Sequence, residues 1–151
     1  AECILDEKLP NFMQGTVNAI TFYNAVPKYL VPDNCKTAVT KHTKDELILN
    51  TAYQDLEEFY NVIMLPTPAS KPKGKPTVEN HVRYLETHLI EKLKEKIFTS
   101  LEAVNDETQK IIADINRREY QKMVGSRMDA YLRYDKPQMK PLPGDKYSTC
   151  D

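Results

Sequence analysis

The spacing of large apolar residues is the feature that most restricts the folds open to this chain. Between positions 77 and 104 such a residue recurs every three or four positions, at Val78, Val82, Leu85, Leu89, Leu93, Ile97, Leu101 and Val104. This spacing places all of them on one face of an α-helix. It predicts a helix over residues 77–104, roughly 40 Å long at about 1.5 Å per residue.

Three further segments have helical periodicity and begin with residues typical of helix caps. Residues 43–65 open with a capping box, Thr43-Lys44-Asp45-Glu46, and continue with an apolar stripe from Leu49 to Ile63. Residues 11–25 begin at Asn11, with Gln14 three positions later. Residues 106–135 follow the break at Asn105 and carry a less regular stripe. The sequence therefore predicts four helices.

Two segments are predicted to be extended instead. Residues 66–76 contain four prolines and three lysines, a composition that cannot sustain helix or ladder hydrogen bonds. We expect an exposed connection there; a proline-rich or basic recognition tract is the alternative interpretation. The tail of residues 136–151 contains Pro137, Pro141, Pro143 and Gly144 and is expected to lie along the surface.

Amphipathic helices of these lengths have to bury their apolar faces against one another. The predicted fold is therefore all-α: an irregular antiparallel bundle of about four helices, with a proline-rich connection and an extended C-terminal tail. A length of 151 residues fits one domain, predicted to span residues 1–151.

The charge balance limits the class of partner. Twenty-one Lys and Arg residues against 22 Asp and Glu give a net charge of −1. A protein that neutralises DNA phosphates usually has a basic excess, so we expect no nucleic-acid partner. No apolar run approaches the length of about 20 residues that spans a bilayer, so we expect no membrane span.

The cysteines and the N-terminal residues favour secretion. Cys3 and Cys150 lie near the two ends and Cys35 lies in a turn-like stretch, positions more typical of disulfides than of core thiols. The start Ala1-Glu2-Cys3 resembles a mature end left by signal-peptide removal. A Cys3–Cys150 disulfide is the preferred pairing, with Cys35 free or an alternative partner of either. The odd cysteine could also join two chains in a covalent dimer.

The sequence contains no motif that specifies a reaction or a family. A nucleophile elbow, a zinc-protease motif, a Walker loop and a dinucleotide-binding glycine pattern are all absent from it. His81 and His88 are seven positions apart on the predicted third helix, about 10 Å, which is too far for one metal ion. We therefore expect no enzymatic activity, no cofactor and no metal.

The predicted fourth helix carries the best candidate for a binding surface. Between Arg117 and Lys136 six basic residues stand against three acidic ones, interleaved with tyrosines. Tyr and Arg often supply interface energy, although they also cover the rim of a bundle. The candidate partner-binding residues are Arg117, Arg118, Tyr120, Arg127, Tyr131, Arg133 and Tyr134.

These observations favour a secreted, non-enzymatic protein that captures or blocks another macromolecule, an extracellular protein, through a helical surface. Two alternatives stay open. The chain could carry a small hydrophobic ligand inside the bundle, lined by Tyr53, Phe59, Tyr60, Met123 and Met128. It could also be a structural extracellular component.

Overall fold

A computed structural model describes residues 1–6, 8–31, 39–42, 47–49, 51–65 and 76–147, with the side chains of 39–42, 47–49 and 76–79 left out. Contacts divide the chain into two compact units. Unit 1 comprises Ala1–Leu5 and Lys71–Pro137, and unit 2 comprises Asp6–Ser70 and Gln138–Asp151. One domain over residues 1–151 stays a prediction.

Unit 2 contains two helices, each followed by an asparagine with a left-handed backbone. Helix α1 spans Leu9–Tyr23 and is followed by Asn24 at a φ of 48°. Helix α2 spans Thr51–Tyr60 and is followed by Asn61 at a φ of 49°. Asparagine tolerates this conformation better than most residues, which explains why both helices end there.

The described residues of unit 2 also form four short strands. Strand β1 (Tyr29–Leu30) pairs in parallel with β4 (Ile63–Met64), with Tyr29 opposite Ile63 and Leu30 opposite Met64. Strand β2 (Val39–His42) pairs antiparallel with β3 (Leu47–Leu49), with an irregularity between Val39 and Lys41. The parallel pair is joined by a crossover that contains α2, as parallel strands require.

The core of unit 2 lies between its two helices and the parallel pair. Its buried residues are Met13, Val17, Ile20, Val26, Tyr53, Leu56, Tyr60, Val62 and Met64. The C-terminal segment contributes: Lys140 forms a bridge with Val26, and the Tyr147 ring lies 5.3 Å from that of Phe59. The part of the predicted tail up to Tyr147 is thus attached to the core at these two points.

Unit 1 is built on two longer helices. Helix α3 spans Pro76–Leu93 and helix α4 spans Leu101–Arg117. The Ser100 hydroxyl caps α4 by accepting from the backbone N–H of Ala103 at 3.1 Å. The buried face of α4 consists of Thr108, Ile111, Ile112 and Ile115. A short helix, α5 (Arg127–Ala130), continues into a π-helical turn, Tyr131–Asp135, and a 3₁₀ turn, Lys136–Gln138.

The described chain is mostly helical, as predicted, but a four-helix bundle is not confirmed. Of the helix expected over residues 43–65, the described residues form Thr51–Tyr60, whereas Leu47–Leu49 and Ile63–Met64 are strands. The predicted capping box at residues 43–46 lies outside the described residues. The helix expected over 77–104 is interrupted by residues 94–100, and Ser100 begins a new helix. The helix expected over 106–135 ends at Arg117 and restarts at Arg127. Residues 66–75 of the proline-rich connection lie outside the described residues.

The predicted disulfide through Cys3 is wrong. The Cys3 thiol is free and half-buried, with its Sγ 4.0 Å from Thr108 Oγ1. Asn105 holds the Cys3 backbone at both polar atoms: its Oδ1 accepts from Cys3 N–H at 2.7 Å and its Nδ2 donates to Cys3 O at 3.0 Å. Cys3 therefore anchors the N-terminal segment to α4 without a covalent bond. Cys35 and Cys150 lie outside the described residues.

A membrane-spanning helix was not expected. Among the helices that the structure describes, none has both the length and the apolar character needed to cross a membrane.

Candidate functional site

The predicted partner-binding residues lie at the end of α4, in a closed loop and in the helical turns after it. The loop covers residues 119–126 and is called the 119–126 loop below. An antiparallel bridge between Glu119 and Ser126 closes it, and Tyr120 N–H donates to Gly125 O at 2.9 Å. These two contacts hold the ends of the loop together, and its central residues 121–124 are exposed.

A capping box fixes the second end of the loop. The Asp129 carboxylate accepts from the Ser126 backbone N–H at 2.8 Å and from the Ser126 hydroxyl at 2.7 Å. Ser126 Oγ accepts in turn from Asp129 N–H at 3.2 Å, and Ser126 is buried. The side-chain hydrogen bond from Ser126 is the main cause that lowers the pKa of Asp129. The carboxylate therefore stays ionised at neutral pH, and this contribution to stability is lost as pH falls through the lowered pKa.

Gly125 makes the tight return of the loop possible. Its φ is +93°, a conformation that side chains rarely adopt, and an added Cβ would lie 3.4 Å from Asp129 Oδ2. We expect Gly125→Ala to lower the free energy of unfolding of unit 1 by about 1–2 kcal/mol. Urea denaturation followed by circular dichroism measures this change. Gly144→Ala is the control, because a Cβ there meets nothing within 4 Å; equal effects of both variants would contradict the assignment.

Arg127 contacts two aromatic rings. Its guanidinium carbon lies 5.0 Å from the centroid of the Tyr84 ring and 5.7 Å from that of Tyr120. Both distances are within the range of cation–π attraction. Tyr84 also stacks on His88, with ring centroids 4.0 Å apart. Arg127 thus connects the 119–126 loop to α3.

Arg118 is tied to Asp114. Its Nη2 donates to Asp114 Oδ2 at 2.6 Å, and Lys92 Nζ lies 3.7 Å from the same oxygen. The hydrogen bond from Arg118 is the main cause that lowers the pKa of Asp114, and Asp114 in turn raises the pKa of Arg118. Both groups are therefore charged at neutral pH.

The structure brings together only some of the predicted residues. Arg118, Tyr120 and Arg127 lie around the base of the 119–126 loop, and Arg117 is exposed at the end of α4. Tyr131, Arg133 and Tyr134 belong to the π-helical turn, where Arg133 lies 5.6 Å from the Tyr134 ring centroid.

The sequence prediction missed four residues of this surface. Tyr84 and His88 lie on α3, where Arg127 contacts the Tyr84 ring and Tyr84 stacks on His88. Their spacing of four positions indicates from the sequence that they share one face of a helix. Met123 and Val124 form the tip of the loop and are 64% and 105% exposed. The periodicity predicts one helix over residues 106–135, whereas the structure has a turn with a positive φ at Gly125.

Comparison with known proteins gives a consistent set of relatives. The chain is 33% identical over 95% of its length to the "Putative transposase y4bL/y4kJ/y4tB" of Sinorhizobium fredii. It is 33% identical over 93% to the "Putative transposase for insertion sequence IS408" of Burkholderia multivorans. It is 22% identical over 90% to the "Transposase for insertion sequence element IS21" of Pseudomonas aeruginosa.

The chain spans 28%, 27% and 34% of the length of these three relatives. No protein-family model matches it.

These relatives overturn the functional expectations. The prediction of a secreted, non-enzymatic protein with an extracellular protein partner is wrong, because similar proteins over nearly the whole chain are named transposases. The alternatives of a hydrophobic-ligand carrier and a structural extracellular component are overturned with it. Tyr53 and Tyr60 are buried core residues, whereas Met123 is exposed.

The expectation of no nucleic-acid partner is wrong for the same reason. It rested on the net charge of −1, which averages the basic stretch from Arg117 to Lys136 with acidic residues elsewhere. The local distribution of charge, and not the total, decides whether one face attracts phosphate.

Proposed function

We propose that the chain is part of a transposase and that its surface between Arg117 and Lys136 contacts the DNA backbone. The observation that carries the proposal is the 33% identity over 95% of the chain to a protein named as a transposase. The whole protein would cleave and join DNA strands, and unit 1 would contribute contacts to the duplex.

The distribution of charge in unit 1 supports this placement. Between Arg117 and Lys136 six basic residues stand against three acidic ones, whereas residues 80–116 contain five basic and seven acidic residues. Basic side chains that neutralise phosphates release counterions, and this release drives much of the binding of proteins to DNA. The basic excess is therefore concentrated in the loop and the turns that follow α4.

The ion pairs separate two groups of basic residues in unit 1. Lys92 lies 3.7 Å from a carboxylate oxygen of Asp114, while Lys96 and Lys110 lie 2.6 and 3.6 Å from those of Glu107. Arg117, Lys122 and Arg133 are exposed, and the ion pairs found between described residues do not include them. Their charges are therefore available to phosphate.

The test removes three of these charges. We expect the variant Arg117→Gln, Lys122→Gln, Arg133→Gln to bind a 30-base-pair duplex roughly tenfold to a hundredfold more weakly near physiological salt. The slope of log K against log salt should fall in magnitude by about 3, because each lost phosphate contact removes about one unit. Fluorescence anisotropy of labelled DNA, titrated at several salt concentrations, measures both quantities.

The matched control is Lys92→Gln, Lys96→Gln, Lys110→Gln, which removes the same number of charges from α3, α4 and the turn between them. These lysines are already paired with carboxylates, so we expect the affinity and the salt slope to change much less. Equal losses in both triple variants would show a general charge effect and contradict the placement. A wild-type protein that binds no DNA would overturn the proposed function itself.

The expectation of no enzymatic activity is corrected as well, since transposases are enzymes. Within the described ranges, no group of three or more His, Cys, Asp or Glu residues is arranged to hold a metal ion.

A further inference from the structure

We propose that the 119–126 loop inserts Met123 and Val124 between stacked base pairs of duplex DNA and thereby kinks the duplex. This inference rests on the proposed function, because it requires that the chain bind DNA. It adds to that function a specific mechanical role for an apolar loop tip that phosphate contacts do not explain.

The first support is the position of the two apolar side chains. Val124 is fully exposed and Met123 is 64% exposed, and they are adjacent at the tip of one loop. A single exposed apolar side chain is ordinary on a protein surface and carries no argument. Two adjacent ones on a closed loop form a compact apolar wedge.

The second support is the restraint at the base of the loop. The Tyr120–Gly125 hydrogen bond of 2.9 Å and the Glu119–Ser126 bridge close the loop below the tip. The Ser126–Asp129 capping box fixes where the chain re-enters a helix. A wedge has to keep its shape while it separates two base pairs. Because the ends of the 119–126 loop are already fixed, the loop loses little conformational freedom on binding.

The third support is the charge next to the tip and before the loop. Lys122 is exposed and lies next to Met123, and Arg117 is exposed at the end of α4, two positions before the loop. Proteins that kink DNA from the minor groove combine apolar wedges, methionine among them, with basic side chains. These basic side chains can neutralise phosphates on either side of the opened base step. This charge complementarity favours DNA over a protein pocket as the partner.

Val124 adds stiffness to the tip. A β-branched side chain is restricted at χ1, so valine gives up little rotamer freedom when it is inserted. Met123 is unbranched and polarizable and adapts to an irregular gap between bases. The pair therefore joins a rigid element to an adaptable one.

The test uses the full-length protein and 30-base-pair duplexes with 2-aminopurine beside a TA step, which is a readily kinked step. Unstacking raises the fluorescence of 2-aminopurine. We expect wild-type protein to raise it, and Met123→Ser, Val124→Ser to lose this rise while binding roughly tenfold more weakly. The salt slope of binding should stay as in the wild type, because no charge is removed.

Leu5→Ser is the matched control. Leu5 is 81% exposed in unit 1 and lies between Glu2 and Asp6, away in sequence from the basic loop. We expect it to keep both the affinity and the fluorescence rise. Far-ultraviolet circular dichroism of each variant shows whether it is folded, and a single Val124→Ser substitution replaces the double variant if that one is not.

Three outcomes would overturn the inference and leave DNA binding by the basic surface intact. Wild-type protein could bind without any change in fluorescence, or the double variant could keep the full rise. Loss of a dimer in sedimentation velocity on substitution at the tip would instead assign Met123 and Val124 to a protein contact. Absence of all DNA binding by the wild type would remove the proposed function first.

Discussion

Leu56→Ala is expected to lower the free energy of unfolding of unit 2 by about 2–5 kcal/mol. Leu56 has no exposed surface and lies in the core cluster with Tyr53 and Tyr60 of the same helix. Truncation to alanine loses the transfer energy of three carbon atoms and leaves a cavity that the neighbours fill only in part. Domains of this size have a total stability of only about 5–15 kcal/mol, so the loss is a large fraction.

Urea denaturation followed by circular dichroism at 222 nm measures the effect, and hydrogen exchange assigns it to the amides of α1 and α2. Glu58→Ala is the control, because Glu58 lies on the exposed face of the same helix. Alanine is a good helix former, so this variant should stay within about 0.5 kcal/mol of the wild type. A Leu56→Ala protein as stable as the Glu58→Ala protein would contradict the assigned core.

The helices were predictable where one apolar face decides the structure. Helix α1 was predicted over residues 11–25 and is observed at Leu9–Tyr23, with Met13, Val17 and Ile20 on its buried face. Its end is set by the left-handed backbone of Asn24, which is one position before the predicted last residue. Local periodicity is a property of the sequence itself, so this helix could be recognised without any knowledge of tertiary contacts. Its predicted cap at Asn11 is wrong, because the N-cap is Lys8, whose side chain makes no capping hydrogen bond.

Helix α2 shows why the same reasoning fails at its edges. The predicted stripe ran from Leu49 to Ile63, and both of these residues are in strands. A spacing of three or four positions places a residue on the helical face, but it does not show where the backbone stops being helical. The partners that make residues 63–64 a strand are Tyr29 and Leu30, more than 30 positions earlier in the sequence. Pairing over such a distance leaves no local signal.

The interruption between α3 and α4 had a signal that was not used. Ser100 is a favourable N-cap residue, and it caps Ala103 in the structure. The apolar stripe continues through this interruption and masked the break, although Ile97 within it is 97% exposed. Capping chemistry is therefore the better guide at this point, because regular apolar spacing does not show where the helix breaks.

The candidate surface was predicted in composition but not in shape. Arg118, Tyr120 and Arg127 were recognised as interface residue types, and the structure groups them around one loop. Their partners Tyr84 and Asp114 come from α3 and α4, and only tertiary contacts reveal them. The predicted partner, an extracellular protein, was wrong because net charge was summed over the whole chain. Binding of a charged partner responds to the local electrostatic field.

We propose two carboxylates for the reaction of the proposed enzyme from their positions in the sequence alone. Enzymes that cleave phosphodiesters use carboxylates, either as proton donors and acceptors or as metal ligands. The first acidic residue in the sequence after β1 is Asp33, and the first after β4 is Glu79. The structure describes neither side chain, so sequence position alone selects them.

Asp33→Asn and Glu79→Gln, each made singly in the full-length protein, are expected to reduce the rate of DNA strand transfer on the order of 10²–10⁴-fold. Each variant replaces a carboxylate by an amide, which cannot exchange a proton or bind a cation as a carboxylate does. DNA affinity should change less than about threefold, since the phosphate contacts stay. Asp145→Asn and Glu86→Gln are matched controls on exposed residues and should keep the wild-type rate. A strand-transfer assay on labelled duplexes measures these rates, and wild-type transfer by either carboxylate variant would show that its residue takes no part in the reaction.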